Sequence, residues 1–393
     1  MNMNNKNWVS VWGNAVSIAE HHPEAYAKYI TLRYPVYIPF DGDTLRFTFD
    51  NYCGSEAVTV TRATVSAATS PVYEKMPLAC PCKKETICDI TFSKNESVTM
   101  EAHQTAVSDP VSFPVKKGMT LTVSLYFADF TLMQSAVLVT GPLSKGFFSL
   151  GDQTHADALP MDTTKTTNWF YFLSNIELMT AEENHTVICY GDSITAGAWP
   201  DYLTLLARQN PDNHTAFIRR ATSGSRVLRQ YECITYDSYG LKGTNRFPHE
   251  IPTTGADTVI IQQGINDIIH PVGIETNPFR PMSDLPTVKE LIDGYRYYIE
   301  EAKKLHLKVY MGTLLPIFGW RTYATFRDAL RHELNAWIRS AKEIDGCIDF
   351  DLALRGSENP SAFREGFDSG DHLHPSSKAY QAMAECAYEV LRK

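Results

Sequence analysis

The sequence predicts two domains of different class: a β-rich, sandwich-like domain over residues 1–183 and an α/β domain on a parallel sheet over residues 184–393. Three observations carry this. At 393 residues the chain is longer than one ordinary hydrophobic core supports. Its first part alternates apolar and polar residues with a period of two, in short runs separated by turn residues. Its second part alternates short apolar runs with longer segments of helical period, the pattern of a parallel sheet covered by helices on both faces.

In the first domain the strand pattern runs through TLRFTFD (44–50), AVTVTRA (57–63), ICDITF (87–92), SVTMEA (97–102) and LTVSLYF (121–127). Thr, Val, Phe and Tyr dominate these runs, as antiparallel sandwich strands require. The segment from 129 to about 183 is rich in Thr, Asp and Asn and reads as an irregular connection packed over the surface, ending at AEEN (181–184). In the second domain strands read at TVICY (186–190), TVIIQQ (258–263), KVYMGTL (308–314) and CIDFD (347–351), with helical patterns at 286–304, 325–342 and 376–392. Thr287 followed by Glu290 resembles a capping box. Beyond it Leu291, Tyr295, Tyr298 and Ala302 recur at helical spacing.

Composition excludes several function classes. A hydrophobic fraction of 44% with 21% charged residues is that of a soluble globular chain. No apolar run approaches the ~20 residues of a membrane span. A net charge of −9 with scattered Lys and Arg argues against a nucleic-acid partner and against an anionic membrane surface. The polar start, MNMNNKNWVSVWGNAV, lacks the apolar stretch of a secretory signal, which leads to the expectation of a cytoplasmic protein. Of three Asn-x-Ser/Thr sequons, at Asn95, Asn184 and Asn213, the second lies two residues before a predicted strand, a poor place for a glycan. Eight cysteines are an ordinary number for this length. Cys80, Cys82 and Cys88 cluster, with Cys53 as a conceivable fourth ligand, yet the Cys-Pro-Cys spacing departs from zinc-site spacing. They read as reduced surface thiols, and no metal is expected.

Four short stretches carry chemistry. VICYGDSITAGAWPDYL (187–203) runs from a buried strand into Gly191, Asp192 and Ser193 and then a helix-like segment. Asp and Ser there are ordinary helix caps, or Ser193 is a nucleophile at the top of a sheet, where active sites of parallel sheets gather. TSGSR (222–226) holds Gly224, and QGINDI (263–268) follows a strand with Gly264, Asn266 and Asp267. Turn chemistry accounts for each taken alone. Finally, DSGDHLHPSSKAY (369–381) places Asp371 three residues before His374, just ahead of the last helix. An Asp that orients and charges a His is what a serine nucleophile needs of its base. His372 sits between them without a readable partner. Asp349 and Asp351 share a strand face and raise a two-carboxylate glycosidase, although nothing positions a second acid for it. GDSITAG lacks the Gly-Lys-Ser/Thr of a phosphate loop.

Together and in this order the four stretches resemble the SGNH, or GDSL-type, serine hydrolases, over roughly 185–393. The first domain resembles, more softly, the β-rich domain that precedes the catalytic domain in some bacterial members, through WVSVWGNAV (8–16) and SDPVSFPV (108–115). The resemblance implies a flavodoxin-like three-layer α/β/α fold and an esterase that needs no cofactor. By the same resemblance Ser193 is the nucleophile, His374 the general base and Asp371 its orienting partner. The backbone N–H groups of Ser193 and Gly224 and the Asn266 amide are the oxyanion donors. RRATSGSR departs from the family around Gly224, where many members carry an Asn and another Gly upstream. Asp192, Gly264 and Asp267 read as residues that hold loops through backbone hydrogen bonds.

Two irregular, aromatic stretches follow strand ends: HPVGIETNPFRPMSD (270–284) and PIFGWRTYATF (316–326). Phe279, Phe318, Trp320 and Tyr323 are candidates for a sugar-stacking platform or a small acyl pocket, and equally for loop packing. No amphipathic lid of an interfacial lipase is present. The expected substrate is therefore a small acylated one, an O-acetylated carbohydrate. An arylesterase or short-chain lipid esterase is the alternative, and a catalytically dead glycan-binding protein on the same fold is the alternative of another class.

Overall fold

The structure, a computed structural model, describes residues 6–19 and 25–392; residues 1–5, where the polar start was read, lie outside the described residues. The chain forms two compact units that divide between Thr186 and Val187, with Pro211–Ile218 belonging to the first.

Two antiparallel sheets organise the first unit. One places Leu173–Ala181 between Lys6–Gly13 and Gly42–Asp50, and Gly42–Asp50 also pairs with Thr105–Val107 and Val111–Val115. The other runs in the order Lys165–Thr167, Gly146–Leu150, Ile30–Tyr37, Thr120–Phe127, Arg62–Ala67, Cys88–Ile90. In TLRFTFD the period of two buries Leu45, Phe47 and Phe49 and leaves Arg46 and Thr48 partly exposed. AVTVTRA breaks into two strands, Val58–Val60 and Arg62–Ala67.

Two expectations need correction. Residues 129–183 are not an irregular surface connection, since Leu173–Ala181 is an interior strand and Gly146–Leu150 pairs with Ile30–Tyr37. The misleading signal was polarity: Ser174, Asn175, Glu177 and Thr180 are buried in that strand. Asn175 Nδ2 donates to Ser10 Oγ at 2.9 Å, and Glu177 pairs with Arg46. These partners lie on neighbouring strands 165 and 131 residues away in sequence, so no local pattern announces them. Nor are Cys80 and Cys82 surface thiols. Both are buried, and burial pushes the Cys80 thiol up to about 12.

The remainder of the chain is organised by a five-stranded sheet of β1 (His185–Gly191), β2 (Thr215–Ala221), β3 (Ala256–Gln262), β4 (Lys308–Gly312) and β5 (Gly346–Ile348) in the order β2-β1-β3-β4-β5. β3 and β4 pair in parallel with Val259 opposite Val309, and β4 and β5 pair in parallel with Gly312 opposite Ile348. The order reverses direction between β1 and β3, and in such doubly wound sheets the crevice beyond that switch point takes the ligand. Strand β2 carries no clean pattern in sequence because Arg219 and Arg220 interrupt it. Both are buried, with Arg219 paired to Asp201 at 2.7 Å and Arg220 Nε donating to the Glu250 carbonyl at 3.1 Å.

The helices are α1 (Ser193–Ala196), α2 (Trp199–Arg208), α3 (Gly243–Glu250), α4 (Ile265–Ile269), α5 (Val288–Lys304), α6 (Thr325–Ser340), α7 (Phe350–Leu354) and α8 (Ser377–Leu391). α8 packs on α2 and α7, while α5 packs on α3 and α6. α5 starts where the capping box places it. Glu290 N donates to Thr287 Oγ1 at 3.3 Å and Thr287 N to Glu290 Oε2 at 2.8 Å. The period that follows buries Leu291, Tyr295, Tyr298 and Ala302.

Asp349 and Asp351 do not share a strand face, because β5 ends at Ile348 and Asp349 caps α7, accepting from Leu352 N at 3.1 Å. Asp351 is fully buried among arginines: Arg331 at 2.7 Å, Arg339 at 2.7 Å and Arg355 at 3.3 Å. Both carboxylates anchor the turn after β5 and offer no acid for glycoside hydrolysis. Removing Asp351 leaves the buried Arg331 guanidinium with Asp328 alone. Asp351→Ala should therefore cost on the order of 3–5 kcal/mol in urea-unfolding free energy. A loss below about 1 kcal/mol would mean that the network is not a structural anchor.

Candidate active site

The carboxyl end of β1 delivers Ser193. Asp192 occupies the N-cap of α1 and accepts the Ile194 N–H at 3.1 Å, so Ser193 opens the helix. A first-turn N–H has no intrahelical acceptor and remains available. Ser193 Oγ lies 2.9 Å from His374 Nε2, and His374 Nδ1 lies 2.6 Å from Asp371 Oδ2. The serine and the histidine are 181 residues apart in sequence. Asp371 also accepts the backbone N–H groups of Leu373 at 3.0 Å and His374 at 2.8 Å, which folds 371–374 into a turn that carries the imidazole back over its carboxylate. Burial pushes the Asp371 carboxyl up, but the His374 ring and these backbone donors outweigh it and hold it down at about 2. His372 pairs instead with Asp368, Nδ1 to Oδ2 at 2.5 Å.

The other two stretches meet beside this chain of hydrogen bonds. Gly224 has φ +78°, and a Cβ there would fall 2.3 Å from the Tyr239 ring. Gly264 has φ +126° and starts α4 directly from β3. Asn266 is buried, and its Nδ2 donates to the Ser225 carbonyl at 3.1 Å. That amide has two protons, so one is left for a ligand. Asp267 accepts the N–H groups of Val227 at 2.7 Å and Leu228 at 3.0 Å, tying the Gly224 loop to α4. The Gly264 N–H lies near the Asp192 carboxyl and pulls its titration down. RRATSGSR is thus tied at Ser225 to Asn266, and the two residues that follow it to Asp267.

Of the aromatic candidates, Trp320 stands edge-on to the His374 ring, with centroids 6.5 Å apart at 88°. Phe318 and Tyr323 pack on each other at 5.1 Å. Phe279 is separate from these three and lies 6.5 Å from Tyr236. Sequence reasoning missed the group Phe279 joins: Tyr231, Tyr236, Tyr239, His270 and Arg280. His270 stacks on Tyr239 at 5.2 Å, and the Arg280 guanidinium lies 4.3 Å from the Tyr236 ring centroid. The available signal was the run of tyrosines in YECITYDSYG (231–240). Among the described residues, no cluster of three His, Cys, Asp or Glu is placed to hold a metal ion. No described helix is long and apolar enough to cross a membrane.

Residues 189–382 match the family described as the GDSL-like Lipase/Acylhydrolase family. The part of the chain so matched, just under half of it, is similar to this family. Among solved structures the chain is similar to a GDSL-like lipase from Bacteroides thetaiotaomicron, at 20% identity and TM-score 0.39, covering 54% of this chain and 89% of that one. It is also similar to an acetyl xylan esterase variant from Geobacillus stearothermophilus, at 17% identity and TM-score 0.40, covering 53% and 95%. A third is a member of the lipolytic G-D-S-L family from Veillonella parvula, at 17% identity and TM-score 0.35, covering 53% and 99%. No curated protein sequence matches the chain.

Beneath the site this part of the chain buries two carboxyl groups. Burial pushes Asp192 up to about 7, against the pull of the Ile194 N–H and of Arg246, and pushes Asp267 up to about 6. A carboxyl whose folded value is raised loses stability as pH climbs from its unfolded value toward its folded one. Asp192 alone, raised from 3.8 to about 7, corresponds to roughly 4 kcal/mol across that window. Asp192→Asn keeps an oxygen for the Ile194 N–H and has no charge to bury. Its thermal midpoint should exceed the native one at pH 8 and converge with it near pH 4. Equal midpoints at pH 8 would show that the charge carries no penalty.

Proposed function

We propose that the protein is a serine esterase that removes O-acetyl groups from carbohydrates. The observation that carries this reading is the hydrogen-bonded chain Ser193–His374–Asp371 at 2.9 and 2.6 Å, set at the carboxyl end of β1 beside the sheet's switch point. His374 Nε2 takes the Ser193 proton as Oγ attacks the ester carbonyl, and Asp371 holds the ring with Nδ1–H toward itself and stabilises the imidazolium. The oxyanion accepts from the Ser193 and Gly224 N–H groups and the free proton of Asn266 Nδ2. His374 then protonates the departing alcohol. A water activated by the same imidazole releases the acyl group from Ser193.

The half-exposed aromatic loop at Phe318, Trp320 and Tyr323 supports a small acyl group on a sugar-like alcohol. Acetate release from acetylated oligosaccharides, measured beside butyrate, octanoate and aryl esters, tests this. Faster turnover of the longer acyl or aryl esters would replace the acetyl-carbohydrate reading with a lipid esterase or arylesterase.

Ser193→Ala should abolish hydrolysis while leaving the thermal midpoint within a few degrees of native. Asp371→Asn should lower kcat by up to about four orders of magnitude through loss of the correct tautomer. Near-normal turnover in Ser193→Ala would end the assignment. Losing one oxyanion donor lowers kcat by ~10²–10³. Asn266→Ala should show that loss with little change in KM, because the neutral carbonyl needs the donor far less. If Asn266 only tethers the Ser225 loop, the variant will melt earlier and its folded fraction will turn over at the native rate.

A further inference from the structure

The tyrosine group behind the Gly224 loop contains polar atoms that the fold leaves without partners. Arg280 is buried to 8% exposure, forms no ion pair among the described residues, and has its Nε without a hydrogen-bond partner. Tyr231 Oη and His270 Nδ1 are also buried and unpartnered. All three belong to one cluster: Tyr231 and His270 have ring centroids 5.9 Å apart, and the Arg280 guanidinium lies 5.8 Å from the Tyr231 centroid. The cluster adjoins the reaction site, since His270 follows α4 and Tyr239, stacked on it, packs against Gly224.

A buried guanidinium without a counter-ion is costly, and the Tyr236 face offsets only part of that cost. Orphaned buried donors in a native fold mark a place where something else completes the set. The charge count says what. Arg226, the other guanidinium on Tyr231, is already neutralised by Asp284 at 3.0 Å. Burial, together with Arg280, Arg226 and Arg321, drives His270 well below its ordinary value, so it faces the cluster as a neutral imidazole. Arg280 is thus the guanidinium on these tyrosine rings without a carboxylate partner among the described residues, and it is flanked by two neutral hydrogen-bonding groups. A planar carboxylate suits that arrangement.

We propose that Arg280, Tyr231 and His270 form a subsite for a carboxylate carried by the ester substrate, with Arg280 as its specificity-determining residue. This rests on the reading of Ser193 as the nucleophile of an esterase. The carboxylate has two possible sources, the alcohol part of the ester, as in an acidic sugar, or the acyl part, as in a hemiester of a dicarboxylic acid.

The test compares matched pairs of esters: acetylated methyl glucuronoside against acetylated methyl glucoside, and 4-nitrophenyl hemisuccinate against 4-nitrophenyl acetate. The native protein should prefer the carboxylate-bearing member of one pair by about tenfold or more in kcat/KM. That pair identifies the source. The ratio should fall towards one in Arg280→Gln and recover in part in Arg280→Lys, a readout that is independent of folded fraction. No preference in either pair, or a preference that survives Arg280→Gln, overturns the proposal and leaves Arg280 as a stacking partner of Tyr236. If no ester is cleaved, the esterase reading fails by itself. The subsite is then decided by binding: methyl glucuronoside or succinate should raise the thermal midpoint of the native protein saturably, methyl glucoside should not, and Arg280→Gln should abolish the shift. Absence of that shift overturns the proposal.

Discussion

Three strand-end loops must converge for this site to exist, and two buried carboxyl groups lie where they meet. Asp192 accepts the Ile194 N–H at the turn after β1, with the Gly264 N–H after β3 near it. Asp267 joins the start of α4 to the loop after β2 through Val227 and Leu228. Asp267 exchanges its hydration for backbone donors, which are free at loop and helix starts, whereas Asp192 Oδ2 has no partner among the described residues. Burial makes the exchange stringent: a loop that drifts from Asp267 leaves a charge unsolvated in the interior. The Asn266 contact to Ser225 adds a third tie at the point where the oxyanion donors of the proposed mechanism would stand.

The base side of the site is built on a different principle. His374 and Asp371 sit on a partly exposed turn ahead of α8, and their geometry comes from local backbone hydrogen bonds rather than from burial. One carboxylate does both jobs, closing the turn and orienting the ring. The side of the site formed by Ser193 and Asn266 thus faces an imidazole that retains contact with solvent, which suits the base of the proposed mechanism. Trp320 stands edge-on beside this imidazole.

Charged residues recur as internal ties elsewhere in the chain. Arg246 is buried in α3, donates to the Gly191 carbonyl at 2.9 Å and pairs with Glu250 at 3.3 Å, which places a fixed positive charge under the nucleophile turn. Arg331 and Asp351 do the same beneath β5. In the first unit Arg33, also buried, donates to the carbonyls of Cys80, Gln153 and Ala156. Arginine suits these places because its fork of five donors satisfies several carbonyls at once.

The sequence by itself determined the parts whose physics is local. Hydrophobic period marked strands β1, β3, β4 and β5 and the helices α5, α6 and α8, because burial of one face imposes that period on neighbouring residues. The Thr287–Glu290 box marked a helix start because its reciprocal hydrogen bonds join residues three apart in sequence. Ser193, Asp371 and His374 were singled out through the order of four short stretches, each ambiguous alone. What the tertiary structure decided were the matters in which polar residues find partners far along the chain. Leu173–Ala181 looked irregular because Asn175 and Glu177 are satisfied by Ser10 and Arg46. Strand β2 was hidden by Arg219 and Arg220, whose burial depends on Asp201 and the Glu250 carbonyl. The group of Tyr231, His270 and Arg280 was invisible for the converse reason. Its residues are ordinary where they stand in sequence, and only the fold brings them together and leaves their polar atoms unpaired.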